Sequence, residues 1–284
     1  RCLLVAIVSV RASDRDSLLK VLDRELTQYK TLQNNKERYI SGLRNRYINA
    51  TDIVTRFSLC HELYQEYKNF QYDSAFSYAN RMYDIAVSGN SDSWKLETAR
   101  IALMECYNSV GLFKEADEML RNIEEKNIPK ESLADFYKIC TRYYSNMNSY
   151  AGPESPLGHK YLDSLASYND KILAISPPDS YDYASALITK RDLADVPWLE
   201  LADMYASLPD RFKIDDHELA VIHSQAGRAY IGAGKMDLAV KHLALSAIHD
   251  IRSCTRETTA AKDLATIMHT AVSYTHLTLP TNSR

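Results

Sequence analysis

The chain has 284 residues, 45% of them hydrophobic and 25% charged, which is typical of a globular protein with a sizeable core and excludes a disordered chain. A formal net charge of −3 gives no electrostatic reason to expect nucleic-acid binding by this part of the chain. Only eight glycines and eight prolines interrupt long polar–apolar patterns, which predicts an all-α fold.

The first residues, "RCLLVAIVSVRAS", place an apolar run from Cys2 to Val10 behind a basic residue. Val10 and Ala12 suit cleavage by signal peptidase, and the run is too short to span a bilayer. We interpret residues 1–12 as the remnant of a signal peptide, which predicts export to the periplasm. A buried N-terminal strand or helix is the alternative. Cys2 stands at the start of the apolar run, whereas a lipidated cysteine would follow it.

Residues 13–50 form a charged segment with a narrow apolar stripe that includes Leu18, Leu22, Tyr29 and Leu32. Apolar residues at these spacings predict a long helix that packs on one neighbour or pairs as a short coiled coil. Self-association through this helix is therefore an expected interaction. Asp52 follows as a candidate N-cap for a new helix.

Two later segments repeat one pattern, Tyr-x3-Gly-x4-Ala-x3-Leu. An aromatic residue on one helix, a turn glycine with positive φ, a small residue at the helix crossing and a large core residue would give two packed helices. The pattern predicts a repeated helix pair, and its repeat-defining residues are Tyr107, Gly111, Ala116 and Leu120 in the first copy and Tyr230, Gly234, Ala239 and Leu243 in the second.

This order of residues resembles the tetratricopeptide repeat (TPR). Weaker copies surround it, for example "HELYQEYKNFQYDSAFSYANRMYDIA" at residues 61–86. The resemblance implies TPR-like helical repeats over residues 51–272, arranged as an α-α superhelix (solenoid). It also implies a protein or peptide partner in the concave face, and no cofactor.

Three patterns that suggest catalysis fail on inspection. The turn at Gly232 to Lys235 lacks the glycine and the hydroxyl residue of a phosphate-binding loop, because Ala229 and Met236 occupy those positions. His61 and His217 each precede a glutamate, but no second histidine follows four residues later. His242 and His249 could share a helix face, yet two ligands make no metal site. We therefore assign no catalytic, cofactor-binding or metal-binding residue and predict that the protein is not an enzyme.

The cysteines after the signal segment are scattered singly through helical patterns, which predicts buried free thiols rather than a disulfide framework; they are Cys60, Cys106, Cys140 and Cys254.

Tyrosines cluster around the Gly/Pro-rich segment at residues 151–158. They suit either a stacking surface for a glycan or peptide, or packing between repeats and anchoring of the loop. The candidate partner surface consists of Tyr144, Tyr150, Tyr161 and Tyr168.

The predicted export and the segments "LDRELTQYKTLQNNKERYISGL", "LYQEYKNFQYDSAFSYA" and "HDIRSCTRETTAAKDLA" resemble the periplasmic region of Bacteroidetes TPR-containing transmembrane transcriptional regulators. In that family a transmembrane helix, a coiled coil and a cytoplasmic helix-turn-helix domain follow. The resemblance implies a sensor anchored in the inner membrane only through a missing C-terminal segment. The alternative is an all-helical glycan-binding protein of nutrient uptake at the outer membrane.

The last residues, "SYTHLTLPTNSR" at 273–284, lack a helical period. They are similar to translated sequencing-adapter read-through, so we interpret them as an unstructured, non-native tail. A genuine disordered terminus is the alternative.

Overall fold

The computed structural model describes residues 2–88 and 92–255, with side chains from Ser17 onward. These residues form eleven α-helices and two short 3-10 turns, without a β-strand, so the predicted all-α class is confirmed. Residues 256–284, which include the end of the expected repeat region and the expected tail, lie outside the described residues, as do the side chains of residues 1–12. The division between a signal segment and a helix from residue 13 stays a prediction.

The first helix, α1 (Cys2–Asn49), is continuous and contributes to two compact units. The contiguous unit comprises Asn34–Ala194, and the split unit comprises Arg1–Gln33 with Asp195–Arg284. None of the helices in the described residues is long and apolar enough to cross a lipid bilayer.

The helices of the contiguous unit after α1 are α2 (Ile53–Tyr67), α3 (Tyr72–Ser88), α4 (Ser93–Ser109), α5 (Phe113–Asn122), α6 (Leu133–Ala151), α7 (Pro156–Ile175) and α8 (Tyr181–Leu193). Here α2 packs on α3, α3 on α4 and α4 on α5, while α6 packs on α7 and α7 on α8; α4 also contacts α6. Side-chain oxygens define several helix starts: Asp52 accepts from the Thr55 amide at 2.8 Å and Ser155 accepts from the Gly158 amide at 2.9 Å. Two 3-10 turns, at Glu125–Asn127 and Lys130–Ser132, lie between α5 and α6.

Small residues let these helices approach closely. Ala79 on α3, Ala99 on α4 and Ala116 on α5 are completely buried. The core around them contains larger apolar side chains such as Leu63 and Met104, so small and large residues alternate across the helix contacts.

The split unit contains α9 (Trp198–Arg211), α10 (Asp216–Gly232) and α11 (Met236–Ser253), in which α10 packs on both α9 and α11. Asp215 caps α10 by accepting from the Glu218 amide at 2.9 Å. Leu22 of α1 packs against the buried cluster that Val240, Leu243 and Ala244 form on α11.

The four cysteines predicted to be buried outside any disulfide are buried and form no disulfide bond in the structure; they are Cys60, Cys106, Cys140 and Cys254.

Candidate partner-binding surface

The turns of the α4–α5 and α10–α11 pairs have the same backbone geometry. Gly111 and Gly234 both have positive φ, at 79° and 68°. In each turn an amide donates across five residues, Leu112 to the Tyr107 carbonyl at 2.9 Å and Lys235 to the Tyr230 carbonyl at 2.8 Å. The turn that superficially suggested phosphate binding therefore connects two helices.

The other repeat-defining residues lie on the packed faces of the helices within each pair. Ala116 and Ala239 are completely buried, as the close-contact position requires. Leu243 is completely buried against Gly227, where a Cβ atom would lie only 2.7 Å from the Leu243 Cγ atom. Leu120 is half-buried against the core of the contiguous unit, so this position is packed more tightly in the second copy.

The aromatic residue is likewise more deeply buried in the second copy than in the first. Tyr230 is buried and its hydroxyl donates to Asp203 of α9 at 2.7 Å, whereas Tyr107 is half-buried and contacts Phe76 of α3 at a ring distance of 5.5 Å.

The structure brings three of the four candidate tyrosines together on α6 and α7. The rings of Tyr144 and Tyr168 stack at 5.7 Å, and those of Tyr144 and Tyr161 lie 6.2 Å apart. All three are half-buried, and Tyr143, the sequence neighbour of Tyr144, is part of the core. These tyrosines therefore pack against the protein on one side and remain partly accessible to solvent on the other.

Tyr150 lies apart from the other three, at the end of α6. Its side chain is 79% exposed, and its ring contacts Phe113 at 5.5 Å. Phe113 in turn contacts Tyr143 at 6.4 Å, which connects the exposed pair to the core. Sequence analysis missed Phe113, although its position two residues after the turn glycine Gly111 was a usable signal. We call Phe113, Tyr144, Tyr150, Tyr161 and Tyr168 the tyrosine surface.

The hydroxyls of Tyr144 and Tyr168 stay protonated near neutral pH. Burial raises the pKa of Tyr144, and the neighbouring Cys140 and Asp117 raise it further. Burial likewise raises the pKa of Tyr168. The tyrosine surface thus offers apolar ring faces with hydroxyls that can donate hydrogen bonds.

A second set of polar contacts, which sequence analysis missed, links α2, α4 and α6. Glu105 of α4 receives a hydrogen bond from the Tyr64 hydroxyl and pairs with Arg142 at 2.8 Å and Lys68 at 3.6 Å. Burial opposes ionisation of Glu105, but the charges of Lys68 and Arg142 and the hydrogen bonds outweigh it and lower the pKa to about 2. Glu105 therefore holds three alternate helices in one electrostatic cluster.

One helical turn further along, Asn146 of α6 donates to the Asn108 side-chain oxygen at 3.0 Å. The side-chain nitrogen of Asn108 is buried without a hydrogen-bond partner. An unsatisfied buried donor costs roughly 1–3 kcal/mol, so this contact between α4 and α6 is less favourable than the Glu105 cluster.

In the described residues, no group of three or more His, Cys, Asp or Glu side chains is placed to hold a metal ion.

Comparison with known families identifies a model described as the SusR N-terminal TPR domain, which matches residues 26–273. That match confirms the TPR pattern predicted from the two aligned helix pairs and the resemblance to a Bacteroidetes regulator. Comparison with curated proteins finds no match.

Proposed function

Because the chain belongs to the family of SusR N-terminal TPR domains, we propose that it is the periplasmic sensing part of a membrane-bound transcriptional regulator. The family match over most of the chain is the observation that carries this proposal. TPR domains are generally non-catalytic scaffolds that mediate protein–protein interaction, so sensing would proceed by binding of a protein or peptide partner.

The tyrosine surface supports the binding step. Rigid aromatic side chains with a polar tip provide large contact area at a small entropic cost. Tyr150 is highly exposed and Phe113 supports its ring from the core side. A partner held here would contact the start of α5 and the end of α6.

Periplasmic location is tested by labelling a single engineered thiol. Ser41 is exposed on α1, and Ser41→Cys would react with a membrane-impermeant maleimide in intact spheroplasts if the region is periplasmic. The unsubstituted protein is the control, since the four cysteines of the repeat region are buried. Labelling that occurs only after lysis would contradict the proposed location.

The regulatory role is tested in the full-length gene. Deleting residues 26–273 should change a defined set of transcripts, measured by RNA sequencing across growth conditions. Tyr150→Ala should reproduce part of that change, while Tyr39→Ala, which removes a ring 57% exposed on α1, should not. Unchanged transcripts in the deletion strain would exclude a sensing role.

Self-association through α1 belongs to the same proposal. Leu26 and Ile48 are exposed apolar residues on one side of this helix, 22 positions or about six turns apart. Sedimentation velocity should show a concentration-dependent dimer that Ile48→Glu weakens. A monomer over the whole concentration range would rule it out.

The second candidate function is glycan binding by an outer-membrane uptake protein. The exposed Tyr150 ring, backed by Phe113, is the observation that favours it, because sugar rings stack on aromatic faces. Calorimetry with a panel of soluble oligosaccharides, comparing the wild type with Tyr150→Ala, tests it. Oligosaccharide binding lost in the variant, together with unchanged transcripts in the deletion strain, would favour uptake over regulation.

A further inference from the structure

Three histidine rings meet inside the split unit. His242 and His249 lie two turns apart on α11, and His223 of α10 lies between them, at ring distances of 5.1 Å and 5.7 Å. His223 and His242 are buried, and their Nδ1 atoms are 3.1 Å apart. Sequence analysis identified the pair on α11 and missed His223, which is the residue that joins them.

The direct contact between two Nδ1 atoms constrains where protons can be. For a hydrogen bond at this distance one ring carries a proton on Nδ1 and the other accepts it, so the neutral pair holds one proton between the two atoms. Once both rings are protonated, both Nδ1 atoms are donors and two positive charges face each other in a buried site. The hydrogen bond is then lost, and repulsion replaces it.

One nearby carboxylate, Asp203, favours a positive charge on His242, but burial and the charge of Lys241 outweigh it. Asp216 of α10 is engaged by His249 at 2.7 Å, and Asp203 of α9 accepts the Tyr230 hydroxyl. Lys241 of α11 disfavours a further positive charge. A further charged contact lies between α1 and α11, where Glu25 pairs with Arg252 at 2.9 Å.

We propose that the histidine cluster makes the α10–α11 helix pair acid-sensitive, so that protonation of the buried His223–His242 pair loosens the contact between these two helices. The inference is independent of the proposed function, since it concerns only the packing of the split unit.

The direction of the effect follows from linkage. Burial lowers the pKa of His223 to about 3 and that of His242 to about 4, below the ordinary value of 6.5. The stability that the neutral rings contribute is complete above pH 6.5 and is lost as the pH falls from 6.5 through these lowered values. Between pH 7 and pH 5, each histidine should increase local opening by about 20-fold.

Hydrogen exchange on the full chain at pH 7 and pH 5, corrected for the intrinsic exchange rate, tests the proposal. We expect the opening of α10 and α11 to increase by at least about 20-fold between pH 7 and pH 5, which is the effect of one histidine. Helices α6 and α7 provide an internal reference whose opening should change less. An equal change in both pairs of helices would overturn the proposal, and this comparison requires no variant.

Two variants then assign the effect to the buried pair. His223→Gln keeps a polar side chain that can hydrogen-bond His242, and it should reduce the acid response of α10 and α11 by about 20-fold. His242→Asn is the second variant, in case the first does not fold. His159→Gln, on the exposed side of α7, is the matched control and should keep the wild-type response. A wild-type response in the folded His223 or His242 variant would overturn the assignment.

Discussion

Glycine residues act in this chain in two distinct ways. Gly111 and Gly234 adopt positive φ in the turns between paired helices, and a Cβ atom added at either residue would have no neighbouring atom within 4 Å. Gly227 has ordinary helical geometry but leaves room for Leu243 of the neighbouring helix. The first use concerns backbone conformation and the second concerns packing, so substitutions at these sites should behave differently.

Replacing Gly227 by alanine should destabilise the protein. The new Cβ atom would lie 2.7 Å from the Cγ atom of Leu243, which is completely buried. Overpacking of this kind costs about 1–3 kcal/mol, measured as the free energy of unfolding in urea. Gly42→Ala is the control: Gly42 is exposed on α1 with open space around it, and alanine there should stabilise by about 0.5–1 kcal/mol. A Gly227→Ala variant at least as stable as wild type would contradict this account.

Replacing Gly111 by alanine should cost about 1–2 kcal/mol because its φ of 79° is unfavourable for a residue with a Cβ atom. Asparagine tolerates the left-handed region better, so Gly111→Asn should recover part of the loss. Thermal unfolding of the two variants measures the difference. If alanine and asparagine were equally harmful, backbone conformation would not be the cause, since open space surrounds this residue.

At the scale of helices, the sequence predicted those elements that depend on residues close together in the chain. The pairs α4–α5 and α10–α11 were predictable because glycine, alanine and the aromatic residue occur at fixed short spacings. The burial of adjacent tyrosines was harder to predict. One step along an α-helix rotates the side-chain direction by about 100°, which places Tyr143 in the core and Tyr144 at its edge.

Contacts between distant helices could not be predicted from one sequence. Glu105 and Arg142 are 37 residues apart, and their pairing depends on how α4 and α6 pack. The same holds for His223 and His242, whose contact depends on the α10–α11 crossing. Periodicity indicates which face of a helix is buried, but it does not identify the partner of a polar residue on that face.

Glu105→Gln tests the cluster that links α2, α4 and α6. The pKa of Glu105 is lowered from 4.5 to about 2, so its contribution to stability is complete above pH 4.5 and is lost as the pH falls through about 2. This difference corresponds to about 3 kcal/mol. The variant should be less stable than wild type at pH 7 by a similar amount, and the difference should shrink towards pH 2 in urea titrations.

The control for Glu105 is Glu118→Gln on α5. Glu118 is exposed and pairs with Lys114 at 3.8 Å, so its loss should change stability by less than about 0.5 kcal/mol at any pH. A stability gap between Glu105→Gln and wild type that stays constant from pH 7 to pH 2 would show that the carboxylate charge is not what stabilises the cluster.

At the scale of the whole molecule, the boundaries of the family match differ from those of the two compact units. The SusR N-terminal TPR match spans residues 26–273 and therefore includes parts of both units. The contiguous unit nevertheless has a core of its own, which extends from Met104 on α4 to Ala186 on α8. One family domain can thus contain two groups of helices, each of which makes most of its contacts within the group.

A fragment of residues 34–194 should therefore fold alone. It keeps the last third of α1 with its Lys36–Glu66 ion pair, all helices from α2 to α8 and the complete core around Met104. We expect a helical circular dichroism spectrum and one cooperative thermal transition. A matched fragment of residues 34–165 ends inside α7 and loses Ile172 and Ala186 from that core, so its transition should be broad or absent. If residues 34–194 also lacked a cooperative transition, the contiguous unit would require the rest of the chain to fold, and the core it contains would be insufficient on its own.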